Sequence, residues 1–255
     1  MLREETVFGP IHSRRLGSSL GINLLPVRGK LCNFDCIYCE CGWNRDGRGD
    51  RTLPTVAQVR EALEQKLLQC ARDGVSIDSI TFSGDGEPTL HPDFPEIIDA
   101  VLELRDRLAP DAKVSVLSNA TRVWKPAIRE ALRKVDNPIL KIDAPTDALA
   151  AKINRPARGY RLARIVEALK RFDGDFILQT MFLVGPDFDS SAPEVLQGWM
   201  DLVRELRPRA VMAYTLDRPA PAEGLRPFTT AQLEALVQPL RDEGFHISVF
   251  GKNNT

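Results

Sequence analysis

Short apolar segments alternate with amphipathic helical ones along nearly the whole chain, and this alternation is what most limits the folds open to it. The segments that read as strands are Leu20–Leu25, Ser79–Ser83, Lys113–Ser118, Ile139–Asp143, Phe176–Val184, Ala210–Thr215 and His246–Phe250. Helical patterns fill the gaps at Thr55–Asp73, Asp93–Leu108, Lys125–Lys134, Arg161–Phe172, Pro193–Glu205 and Thr230–Glu243. In the first of these, Val56, Val59, Leu63, Leu67 and Cys70 recur at spacings of three and four and form one apolar stripe. Strands alternating with helices predict parallel βαβ units. About six such units predict an α/β fold, an incomplete TIM-type βα barrel rather than the complete eight-unit one. No Ser/Gly-rich linker, low-complexity tract or repeat interrupts the pattern, so residues 1–255 read as a single domain. Parallel barrels gather their functional groups where the strands end, and those ends are where chemistry is sought.

Four of the five cysteines, Cys32, Cys36, Cys39 and Cys41, fall within ten residues just after the first predicted strand. An odd, tightly clustered set makes a poor disulfide framework and reads as metal ligation. Three thiolates of Cys32-Asn33-Phe34-Asp35-Cys36-Ile37-Tyr38-Cys39 could each take one iron of a cubane, leaving the fourth iron open to a substrate or cofactor. A structural zinc site with Cys41 as fourth thiolate is the alternative, since thiolates suit both metals. The second strand ends in Gly84-Asp85-Gly86-Glu87-Pro88. Glycines there permit close backbone approach to a ligand, and Glu87 offers a carboxylate to an ammonium group. By itself this run reads rather as a turn before the next helix, since short glycine motifs are common.

Composition narrows the setting. With a hydrophobic fraction of 43% and a charged fraction of 27%, the chain is ordinary for a globular protein. A formal net charge of −1 gives no overall basic field for nucleic acid, though it does not describe the distribution of charge. The longest apolar runs, such as Phe176–Gly185, are far short of a membrane span. Met1–Glu5 lacks the apolar core of a secretory signal, so a cytoplasmic location is the expectation.

Taken together, the cysteine loop and the Gly-Glu-Pro strand end resemble the radical S-adenosylmethionine (SAM) superfamily, whose signature is Cys-x3-Cys-x2-Cys after the first strand. Tyr38, Ser118-Asn119, Lys141-Ile142-Asp143 and Gln179–Gly185 resemble its later motifs in order. Phe8–Gly17, Thr81–Leu90, Ile153-Asn154-Arg155-Pro156 and Tyr214-Thr215-Leu216-Asp217-Arg218-Pro219 look like a subgroup of Fe–S oxidoreductases grouped with the tRNA wyosine-base enzymes. The resemblance implies one radical SAM core domain with a 4Fe–4S cluster on Cys32, Cys36 and Cys39. It implies S-adenosylmethionine held by Gly84, Gly86 and Glu87 at the methionine end. Tyr38 would lie near adenine, Ser118 and Asn119 near ribose, and Lys141 and Asp143 near the cofactor. It further implies reductive cleavage to a 5′-deoxyadenosyl radical, an electron donor of flavodoxin or ferredoxin type, and hydrogen abstraction from an unidentified substrate. Such a cofactor carries the hard chemistry while the protein orients it.

Other residues carry weaker signals. Arg14, Arg15, Asp217 and Arg218 are substrate-side candidates, Arg14 and Arg15 as anion binders. Cys41 reads as a bystander thiol, Cys70 as core, and His12, His91 and His246 as structural or surface histidines. Wyosine-type enzymes carry further N-terminal cysteines for a second cluster, and residues 1–31 here have none. A glycyl-radical activase, and a metal-binding interaction module without catalysis, are the other functions considered.

Overall fold

The computed structural model describes residues 5–13, 16–47 and 49–252. Strands and helices follow one another as six strand-then-helix units and a last strand, and the fold class is α/β, of the partial TIM-type barrel kind. The chain divides into two compact units, one taking in the chain up to Asn33, Asn44–Ser118 and Lys125–Pro138, the other Phe34–Trp43, Asn119–Trp124 and the chain from Ile139 onward.

In the first unit, β1 (Val7–Ser13) pairs antiparallel with β2 (Gly17–Ile22). The sequence predicts an irregular start here. Gly9-Pro10 reads as a turn and hides the strand, and the pairing accommodates it with a register shift between Phe8 and Ile11. Next come α1 (Val56–Arg72), β3 (Ser79–Phe82), α2 (Phe94–Leu108), β4 (Lys113–Ser118) and α3 (Pro126–Lys134). Strands β2, β3 and β4 run parallel, with Ser19 beside Ser79 and Thr81 beside Ser115. Residues alternate across this sheet. One face carries Leu20, Ile22, Ile80, Phe82, Val114 and Val116, all essentially without exposure, and Phe94 of α2 meets Phe82 edge to face at 6.0 Å. The other carries hydroxyls. Ser19 and Thr81 bond at 2.7 Å, Ser79 bonds both Thr81 and Ser115 at 3.0 Å, and Asn137 donates to Ser115 at 3.1 Å. Each buried hydroxyl thereby finds a partner, without which it would cost about 1–3 kcal/mol. Helix α1 starts on a capping box, Thr55 accepting from the Gln58 amide and Gln58 returning the bond.

The second unit holds the end of β5 (Asn137–Lys141), then α4 (Asp147–Ile153), α5 (Leu162–Lys170), β6 (Ile177–Met181), β7 (Leu183–Gly185), β8 (Phe188–Asp189), α6 (Pro193–Leu206), β9 (Ala210–Tyr214), β10 (Arg226–Pro227), α7 (Thr230–Asp242) and β11 (Ile247–Phe250). Strands β5, β6, β9 and β11 are neighbours in parallel. The apolar run predicted as one strand, Phe176–Val184, is two: β7 leaves to join β8 and β10 in a small antiparallel sheet. A run broken only by Gln179 and Thr180 has no period that marks such a change of partner. Helix α4 also lies outside the predicted elements, being too short to establish a stripe. Where β6 ends, Trp199 donates to Thr180 at 3.0 Å and Thr180 donates to the Ile142 carbonyl at 2.7 Å. No described helix is long and apolar enough to cross a membrane.

Candidate active site

In the first unit the cysteine loop begins at a backbone bridge. The Leu31 amide donates to the Asp85 carbonyl and the Glu87 amide donates to the Leu31 carbonyl, both at 3.0 Å. Leu31 is therefore joined to Gly86, and Cys32 follows it directly. Gly86 has φ +144°, and a Cβ there would stand 1.9 Å from the Leu31 carbonyl oxygen. A Cβ on Gly84 would stand 2.1 Å from Asn23 Oδ1. That oxygen is committed, accepting from the Leu25 and Asp85 amides at 3.1 Å each. At both glycines the chain itself comes close. Glu87 is buried, and its Oε1 accepts from the Thr89 amide at 3.1 Å, from the Thr89 hydroxyl, and from Ser118 at 2.8 Å. It caps the short turn Pro88–Leu90 and ties in Ser118, the last residue of β4. Asn44 donates to the Cys32 carbonyl at 3.2 Å.

In the second unit the rest of the loop is held by the end of α4. The Asp35 amide donates to the Asn154 carbonyl at 2.8 Å and the Ile37 amide to the Ile153 carbonyl at 3.0 Å. The Ala222 amide donates to Ile37 at 3.2 Å, and Cys39 turns back on the Cys36 carbonyl at 3.1 Å. Ile37 and Tyr38 are buried in a cluster with Ala144, Leu149, Ile153 and Met181. Inside it lies a polar knot. Tyr38 donates to Asp143 Oδ2, Asn154 Nδ2 donates to the same oxygen at 2.6 Å, and the Met181 amide donates to Oδ1 at 2.9 Å. Lys141 donates to the Tyr38 hydroxyl at 3.1 Å, with its Nζ 5.0 Å from the Tyr38 ring centroid and 5.7 Å from that of Tyr214. Asn154 also reaches Cys36 Sγ at 3.4 Å.

This environment shifts titrations. Burial pushes the Cys36 thiol up to about 11, with Lys141 partly opposing it. Burial, then Asp143, raises Tyr38. For Lys141 burial pulls downward, but Tyr214, Asp143 and Cys36 outweigh it and the net direction is up. A half-buried ammonium is tolerated because of these neighbours. A bound metal ion would reverse the thiol's preference, since coordination deprotonates it outright.

The remaining candidates divide. Asn119 accepts from the Thr121 amide at 3.0 Å and its hydroxyl at 2.6 Å, forming a local turn. Asp217 is exposed, and Arg218 pairs with Glu40 at 2.7 Å, with both side chains open to solvent. Glu40 lies between Cys39 and Cys41. Arg14 and Arg15 lie outside the described residues. Cys41 is half-buried and Cys70 is buried on α1. His91 is structural: its Nε2 meets the Pro54 carbonyl at 2.9 Å and its Nδ1 accepts from the Asp93 amide at 3.1 Å. Among the described residues no three His, Cys, Asp or Glu side chains surround one ion position. A cubane makes no such demand, because each thiolate meets a different iron. Asn23, Asn154 and Tyr214 enter the site without having been assigned roles from sequence. Asn154 and Tyr214 lie in motifs noticed for resemblance, but their partners are distant in sequence.

Residues 27–197 match the family model described as the Radical SAM superfamily. The chain is 32% identical to a UPF0026 protein of Synechocystis sp. over 223 residues, 85% of this chain and 77% of that protein. It is 29% identical to a UPF0026 protein of Methanocaldococcus jannaschii over 233 residues, 86% of this chain and 66% of that one, so it spans just under two thirds of that relative. A solved radical SAM methyltransferase from Sphaerobacter thermophilus shares the fold at 18% identity and TM-score 0.70, covering 91% of this chain and 66% of that one. Archaeal TYW1 is a more distant structural neighbour, at 11% identity and TM-score 0.54 over 88% of this chain and 71% of that one. The family match covers the cysteine loop, the Gly84–Glu87 strand end and the Lys141–Asn154 knot alike, and the chain belongs to the radical SAM superfamily.

Proposed function

We propose that this chain uses a 4Fe–4S cluster on Cys32, Cys36 and Cys39 to cleave S-adenosylmethionine reductively and take hydrogen from a substrate. The observation that carries the reading is the bridge between Leu31 and Gly86, which makes the residue before the first cysteine and the Gly-Glu-Pro strand end one structural unit. The donor set fits the group. Three thiols lie within eight residues, all half-buried, and N–H donors serve the Cys36 sulfur and the Cys32 carbonyl. When bound, the reduced cluster supplies the electron that splits S-adenosylmethionine into methionine and a 5′-deoxyadenosyl radical.

The chain's own residues bind and orient. Gly84, Gly86 and Glu87 are the proposed hold on the methionine end, Ser118 and Asn119 on ribose, and Tyr38 on the adenine side. Lys141 and Asp143 fix Tyr38 from both sides of its hydroxyl, so that the loop residue between Cys36 and Cys39 keeps one geometry. Holding reacting groups in place is the main catalytic contribution a protein makes to chemistry of this kind.

A flavodoxin- or ferredoxin-type donor is the proposed electron source. Arg155, Arg158, Arg161 and Arg164 support an acidic partner. They fall within ten residues, are exposed, and form no ion pair among the described residues. Arg155 lies 4.7 Å over the Trp43 ring and Arg164 3.9 Å over that of Trp124.

The test is anaerobic reconstitution with iron and sulfide, reduction with dithionite, and detection of 5′-deoxyadenosine. Product that depends on all three cysteines supports the reading. Tightly bound zinc with no cleavage overturns it.

A further inference from the structure

Asn154 caps the C-terminus of α4, but capping does not explain why the residue is an asparagine. Asparagine is favoured at helix ends that turn left-handed, and Asn154 has φ −100° in the right-handed region. The left-handed residue is the next one, Arg155, at φ +45°. Its main chain does serve the fold, as the Asn154 carbonyl accepts from Asp35. Any residue could supply that carbonyl. The side chain requires a separate explanation.

That side chain is buried, with 3% exposure. Its nitrogen makes every side-chain contact that can be assigned: Asp143 Oδ2 at 2.6 Å, the Tyr38 hydroxyl at 3.3 Å and Cys36 Sγ at 3.4 Å. Asp143 fixes which way the amide faces. Its other oxygen is held by the Met181 amide, so one amide N–H is committed to Oδ2 and the second is directed toward Cys36 and Tyr38. Cys36 is half-buried, and a fixed donor outside bulk water matters more than it would in water.

We propose that Asn154 is a positioning residue that donates an N–H to the Cys36 sulfur and thereby makes the bound cluster easier to reduce. The proposal rests on the reading that Cys36 is a cluster ligand. An N–H directed at a ligating sulfur withdraws negative charge from it. The reduced cluster carries one more electron than the oxidised one, so it gains more from that donor. Hydrogen bonds to cluster sulfurs are among the protein's levers on reduction potential. Asp143 acts behind Asn154 by holding the amide in the donating orientation.

The experiment reconstitutes the full chain and titrates its cluster potentiometrically with electron paramagnetic resonance detection, comparing wild type with Asn154→Leu, which keeps approximate volume and loses the donor. The expected result is a full iron and sulfide content with a more negative midpoint. A loss of about tenfold in the equilibrium for one-electron reduction corresponds to about 59 mV. An unchanged midpoint at full iron content overturns the proposal. If Asn154→Leu does not retain iron, Asn154→Gln keeps the amide, displaces it by one methylene, and enters the same comparison with the same two outcomes. A second measurement needs no variant. Wild type labelled with 15N-asparagine and exchanged into deuterium oxide should show hyperfine coupling from the side-chain amide 15N and its exchangeable deuterons to the reduced cluster, and absence of that coupling overturns the proposal. Failure of the wild type to take up any cluster strikes the underlying function instead, which keeps the two ideas separable.

Discussion

The two ends of the cysteine loop are held by opposite means. Before Cys32 the restraint is steric and lies in the main chain: Leu31 is bridged to Gly86 where only a glycine fits, and no charge takes part. Around Cys36 and Tyr38 main-chain bonds to the end of α4 are joined by an electrostatic side-chain network, with Lys141, Asp143 and Asn154 converging on one hydroxyl and one sulfur. A steric restraint fails abruptly when a methyl group is added. An electrostatic network fails by degrees, and its members fail together. The difference suggests a division of labour, with one end fixing where the loop starts and the other tuning what its sulfurs can do.

The largest effect expected is on the ligands themselves. Cys36→Ala should abolish cluster uptake, read as iron per chain after reconstitution, whereas Cys41→Ala should retain it. Loss of the cluster in Cys41→Ala would show a fourth thiolate at work and end the three-ligand assignment. Next comes the steric end. Gly86→Ala places a methyl group against a backbone carbonyl at positive φ, and the loss should be about 3 kcal/mol or more. Gly49, where a Cβ would meet nothing within 4 Å among the described residues, serves as the control, where Ala should change stability by no more than about 0.5 kcal/mol. Urea unfolding of both variants decides the matter, and a Gly86→Ala protein as stable as wild type would remove the bridge from the account.

At the electrostatic end, Lys141→Met leaves the Tyr38 hydroxyl without that donor and Asp143 without a nearby cation. A loss of about 2 kcal/mol follows from removing a hydrogen bond made by a charged group. The sharper reading comes from pairing it with Asp143→Asn. If the knot is one unit, the double variant should lose less than the sum of the singles by about 0.5 kcal/mol or more. Strict additivity would mean that these residues act separately.

The contrast also explains what could be read from the sequence. Alternating periods marked the α/β class and six of its units, and the clustered cysteines marked where a metal group is to be sought. The glycines were visible as a motif, but their close neighbours in the fold, Asn23 and Leu31, were not. Strand β1 was hidden by its Gly9-Pro10, and β7 by a run with no period that marks the change of partner. Asn154 could not be given a role because its three partners lie at residues 36, 38 and 143, and no local pattern encodes that convergence.

The smallest effect is expected at the arginine run, and it tests whether charge reaches beyond the knot. Exposed charges contribute little to folding, with isolated surface pairs near 0–1 kcal/mol, so Arg158→Glu with Arg161→Glu should leave the unfolding midpoint nearly unchanged. Their effect should fall on encounter. Complementary charge raises association rates more than affinity, and the gain shrinks as salt shortens the Debye length from about 10 Å at 0.1 M to about 3 Å at 1 M. Reduction of the reconstituted cluster by a flavodoxin-type donor should therefore slow a few-fold in the double variant at low salt and converge with wild type at high salt. A small neutral photoreductant, which no surface charge steers, should reduce both at one rate. Equal rates with the protein donor at low salt would place its docking elsewhere on the chain. Slower reduction by the photoreductant as well would mean that the arginines act through the loop, since Arg155 already lies over Trp43 at its end.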